Sequence, residues 1–95
     1  MQYKVSFNNV NEEGETYIAS YFFYSIASAH SFIKGNFGDD DKDGEFTIER
    51  LENSVESLKV GDIRTVFAPN KWDIKITKSE SFLADFLSHY KKTYA

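Results

Sequence analysis

Apolar and polar residues alternate at the start of the chain. Tyr3, Val5 and Phe7 are separated by Lys4 and Ser6 and followed by Asn8. A period of two is that of a half-buried β-strand. The stretch NNVNEEG then supplies Asn, Glu and Gly and predicts a turn of several residues. A second strand is expected from Glu15 to about Tyr24, antiparallel to the first. Its Tyr17, Ile18, Tyr21, Phe22 and Phe23 place apolar groups on both faces, which suits a central strand better than an edge.

The period then lengthens. Ile26, Ala29, Ile33 and Phe37 recur at helical spacing, with Phe32 beside them and Ser25 in position to cap. Gly35 and Gly38 weaken and end this helix. Residues 45–58 carry two periods at once. Phe46 and Ile48 alternate with Thr47 and Glu49, whereas Leu51, Val55 and Leu58 stand at i, i+4 and i+7. The β-prone Phe-Thr-Ile favours a strand over 45–51.

Val60-Gly61-Asp62 reads as a turn, and Ile63, Thr65 and Phe67 alternate as a strand. Ala68 to Lys71 is a turn with Pro69 in its second position. Trp72, Ile74 and Ile76 continue as a further strand, closing a hairpin. A final helix is expected from the stripe of Phe82, Leu83, Phe86, Leu87 and Tyr90. Thr77 with Glu80, or Ser79, is placed to cap it, and Lys91 and Lys92 fall in its last turn. The predicted order is β-β-α-β-β-β-α. This is an α+β fold, a mainly antiparallel sheet of about five strands with two helices packed on one face. No internal repeat is present.

Ninety-five residues suit a single globular domain, 1–95, which buries roughly two thirds of its unfolded surface. Aromatic residues make up 17% of the chain and supply much of that burial. The chain contains no Cys, which excludes disulfides, thiol catalysis and thiolate metal sites. No signal peptide is visible after Met1, and no apolar run approaches the ~20 residues needed to span a bilayer. A soluble, cytoplasmic protein without a membrane partner is expected.

The net charge is -4, unevenly spread. Residues 1–58 hold 4 Lys/Arg against 11 Asp/Glu, a balance of -7, and residues 59–95 hold 7 against 4, a balance of +3. Most of the difference comes from Asp39, Asp40, Asp41, Asp43, Glu45, Glu49, Glu52 and Glu56, with only Lys42 and Arg50 among them. Such a patch suits a partner protein with a basic surface.

The stretch from Asp39 resembles the first nine positions of an EF-hand calcium loop. Asp39, Asp41, Asp43, the Glu45 carbonyl and Thr47 fall at the ligand positions, and Gly44 at the sixth. The twelfth position requires a bidentate Glu and is Arg50 instead, which has no acceptor. The resemblance implies at most weak Ca2+ binding, and no second loop accompanies it.

Little else carries chemistry. His30 sits beside the apolar stripe of the first helix, and His89 lies near the end of the last one, where its charged form suits the dipole. No zinc-protease, hydrolase-elbow or P-loop motif occurs. Gly35-x-x-Gly38 resembles the KH backbone clamp but lacks flanking bases apart from Lys34. Asp85 falls on the polar face of its helix. Arg64, Lys71, Trp72, Lys75 and Lys78 cluster on or beside the last hairpin, yet Trp72 shares a face with Ile74 and Ile76, as a core residue does. With a pI of about 5.1, nucleic-acid binding is not expected.

The composition therefore favours a non-enzymatic protein-interaction module without a cofactor. In size and charge it is similar to small inhibitors carried by phages and mobile elements, including anti-CRISPR proteins that occupy a nuclease's nucleic-acid channel. Two alternatives stand beside it: a weak calcium-binding module, and a self-associating structural protein with the acidic half of one chain against the basic half of another.

Overall fold

The computed structural model describes residues 2–69 and 72–80. Four strands and two α-helices make up this part: β1 (Gln2–Val10), β2 (Thr16–Phe23), α1 (Ile26–Phe37), α2 (Ile48–Glu56), β3 (Ile63–Phe67) and β4 (Ile74–Ser79). The strands form one antiparallel sheet in the order β2-β1-β4-β3. The fold is α+β, with four described strands rather than five. The helix expected over the C-terminal stripe, with His89 and Asp85, lies outside the described residues.

Hydrophobic alternation decides the sheet's inner face. Tyr3, Val5 and Phe7 pair with Phe23, Tyr21 and Ala19 in register, and Val5 also meets Ile76. Val5, Ile74 and Ile76 are fully buried with Ala29 and Ile33 of α1 and Leu51 and Val55 of α2. The first hairpin closes through Asn11, whose Oδ1 accepts from the Glu13 and Glu15 amides at 3.0 and 2.9 Å. Gly14 there has φ +83°, a conformation that favours glycine.

Ser25 caps α1, accepting from the Ser28 amide at 3.1 Å. The stripe Ala29, Ile33 and Phe37 is buried, as its spacing predicted. Phe32 packs beside it, with its ring centroid 4.6 Å from Tyr21 and 5.2 Å from Phe23. Trp72 is partly buried against the core, its ring edge-on to Phe7 and Phe37 at 5.9 and 5.0 Å.

Three expectations change. Residues 45–51 do not form a strand: Ile48 begins a helix, because Thr47 accepts from the Arg50 amide at 3.2 Å and caps it. Burying Leu51, Val55 and Leu58 on one helical face outweighs the β-propensity of Phe46-Thr47-Ile48. Next, β2 is an outer strand of the described sheet rather than a central one, with Ile18 left 71% exposed. Last, β4 begins at Ile74 rather than at Trp72 and runs through Thr77 to Ser79, which pairs with Gln2; the helix that Thr77 or Ser79 was expected to cap lies outside the described residues.

Candidate acidic interaction surface

The acidic stretch runs from the end of α1 to the end of α2. Asp39 and Asp40 lie in a short 3-10 turn, Gly38–Asp40, which continues α1 without a left-handed cap. Asp41 follows, and its side chain turns inward to only 4% exposure. Its Oδ1 accepts from the Glu45 amide at 2.9 Å and its Oδ2 from the Phe46 amide at 3.0 Å. Lys34, from the last turn of α1, brings Nζ to 3.1 Å of the same Oδ2. Desolvation pushes the Asp41 carboxyl up, but the Phe46 and Glu45 amides and Lys34 outweigh it and hold the group below the ordinary carboxylate range. Gly44, with φ +64°, lets the chain reverse so that both amides reach one side chain.

His30 closes the loop from the other side. Its ring N–H donates to the Phe46 carbonyl at 3.0 Å, and the two rings stack at 5.0 Å and 16°. Phe46 is thereby buried, stacked also on Phe67 at 4.8 Å. His30 is the satisfied core-edge histidine that its position suggested.

The helix changes what the acids do. Glu49, Glu52 and Glu56 stand at i, i+3 and i+7, one face of α2, and all three are exposed. Leu51 and Val55 occupy the opposite face and are buried. A strand would have pointed Glu49 and Glu52 to opposite sides. Asp39, Asp43 and Glu45 are likewise exposed, whereas Asp40 is half-buried. Arg50 approaches Glu45 at 3.9 Å, but both side chains are about two thirds exposed, so this pair neutralises little. A cavity of about 270 Å³ opens between the loop, α2 and the end of β3, lined by Glu45, Phe46, Arg50, Leu51 and Phe67 among others.

The basic half is partly consumed inside the fold. Arg64 donates to the Ser54 carbonyl and to Ser57 Oγ, and Lys78 donates to the Leu58 carbonyl at 2.7 Å. Both cations thus sit at the end of α2, where the helix dipole favours them. Lys75 lies 3.6 Å from Asp73. Lys71, Lys91 and Lys92 lie outside the described residues.

The calcium-loop ligand set is dispersed. Asp41 is committed to two amides and an ammonium group, and Thr47 to a helix cap. Among the described residues no three His, Cys, Asp or Glu side chains are grouped to hold a metal ion. Nor is any described helix long and apolar enough to cross a membrane.

Two features of this site escaped the sequence reading. One is Lys34 as the counter-ion of Asp41, seven residues away, which no local pattern marks. The other is Thr47, whose place just before the apolar stripe of α2 was an available cap signal. No protein-family model matches the chain, and neither a curated protein nor a solved structure matches it.

Proposed function

We propose that the chain is a non-enzymatic interaction module whose acidic surface occupies a basic, nucleic-acid-binding surface of a partner protein. The observation that carries this reading is the common face of Glu49, Glu52 and Glu56 on α2, next in sequence to the exposed Asp39, Asp43 and Glu45. Residues 39–58 hold eight acids and two cations, a balance of -6. Charge of one sign on a continuous surface steers encounter with a surface of the other sign and suppresses wrong partners. Size and charge are those of a small inhibitor borne by a phage or mobile element. A cytoplasmic site of action fits a chain without Cys.

The test is competition. A labelled DNA duplex is bound to each of a panel of purified nucleases with basic channels, and the chain is titrated in. Displacement that weakens as salt rises supports the proposal. Displacement that persists after Asp39, Asp43, Glu49, Glu52 and Glu56 are all reversed to Lys contradicts it.

A further inference from the structure

Among the described residues the sheet ends in two outer strands, and these are guarded differently. β3 has five residues, carries Arg64 and breaks register between Thr65 and Phe67. Short length, charge and a bulge are the usual devices that stop an edge from pairing with another chain. β2 has none of them. It pairs with β1 through eight consecutive partners, Thr16 to Phe23, with no shift in register. No Pro or Gly interrupts it, and no Asp, Glu, Lys or Arg occurs between Glu15 and Lys34. Its side chains include Tyr17 at 47%, Ile18 at 71% and Tyr21 at 43% exposure.

We propose that β2 is the contact of a homodimer, in which it pairs antiparallel with β2 of a second copy and joins two four-stranded sheets. An outer strand directs alternate amides and carbonyls away from its neighbour, and a second strand satisfies them. A two-fold contact needs a strip that is complementary to itself. Antiparallel pairing centred on Ala19 sets Tyr17 of one copy opposite Tyr21 of the other, twice, and sets Ile18 opposite the small Ser20. Aromatic cross-strand pairs of this kind stabilise sheets.

Charge selects both the partner and the direction. The chain carries -4, so a second copy is tolerated only where the contact strip is uncharged, and β2 is such a strip. Glu12, Glu13 and Glu15 cluster at one end of β2. Parallel pairing would set these acids side by side. Antiparallel pairing sends them to opposite ends of the contact. The proposal is independent of the acidic surface on α2.

Sedimentation equilibrium across a concentration series, up to the solubility limit, tests it on three full-length chains. These are the wild type, the Ile18→Lys/Ser20→Lys variant and the Asp39→Lys/Asp40→Lys/Asp43→Lys variant. Both lysine positions on β2 are exposed, so circular dichroism should report an unchanged fold. The expected result is twice the monomer mass for the wild type and the acid-reversed chain, and monomer mass for the β2 variant. A wild type that stays monomeric overturns the proposal, including one whose β2 amides are protected by another segment of its own chain. So does a β2 variant that still dimerises, or a dimer lost only on acid reversal, the mark of an acid-to-base assembly. Should the β2 variant fail to fold, hydrogen exchange of the wild type decides. Protection of residues 16–23 must rise with concentration, and protection that does not change overturns the proposal.

Discussion

Lys34 Nζ lies 3.1 Å from Asp41 Oδ2, so the enclosed Asp41 carboxylate of the acidic loop already has a cation, supplied by the preceding helix. That pair separates the acids into two groups. Asp41 organises the loop, and Asp39, Asp43, Glu45, Glu49, Glu52 and Glu56 face solvent. Replacing Asp41 by Asn removes the charge that gathers Lys34 and the Glu45 and Phe46 amides. The expected drop in Tm exceeds that of Asp39→Asn or Asp43→Asn several-fold. Equal effects from all three would contradict the division.

The same residue sets a pH dependence. Its folded pKa lies below the ordinary value of 3.8, so the ionised form stabilises the fold. That contribution is complete above the unfolded pKa and is lost as pH falls through the lower folded one. The Tm gap between wild type and Asp41→Asn should therefore be constant near neutrality and close below about pH 4. A gap that widens in acid contradicts the assignment.

Thr47 caps α2 with its hydroxyl, and removal of such a cap costs about 1 kcal/mol. Thr47→Ala should lower Tm by roughly 4–8 °C in a domain of this size, whereas Thr47→Ser should leave it nearly unchanged. Thermal unfolding of both variants checks this. A strand over 45–51 would lose little in either.

Calcium should produce no saturable, ion-specific amide shifts in residues 39–50. Asp41 and Thr47 are committed to backbone donors, and Arg50 stands at the position that a calcium loop fills with Glu. Arg50→Glu should not create a site. An NMR titration with magnesium as control gives the answer. Calcium-specific saturation in either chain would contradict this expectation and support a calcium site.

Thr77 Oγ1 is buried without a hydrogen-bond partner among the described residues, a situation that costs about 1–3 kcal/mol. Thr77→Val keeps the shape and the β-branch and removes the hydroxyl. Its Tm should rise by a few degrees, by the usual conversion of about 1 kcal/mol. A fall in Tm would show that the hydroxyl is satisfied.

Local patterns are legible where one period holds and one face is buried. β1, the Ser25 cap with the stripe of α1, and the hairpin of β3 and β4 all follow from spacing alone. The segment 46–48 misled because three β-prone residues stand where a cap and the first helical residue fall, and only the later burial of Leu51 and Val55 decides between them. The position of β2 was not legible either. Apolar groups on both faces usually mean a central strand, but sheet order depends on the non-local pairing of Val5 with Ile76. The acids themselves were legible as a charge run. Their common face was not, because it exists only once residues 48–56 are helical.

The proposed function requires those acids to act together, and one binding measurement tests this directly. The chain is labelled, and its anisotropy is followed against whichever basic nuclease it displaces from DNA. Two variants are compared with the wild type at low and high salt: Glu49→Gln/Glu52→Gln/Glu56→Gln and Asp39→Asn/Asp43→Asn. An acidic recognition surface gives weaker binding for each variant, with a shallower salt dependence and an unchanged fold. Binding that keeps its strength and salt dependence in both would show that the acidic surface is only a solvated one.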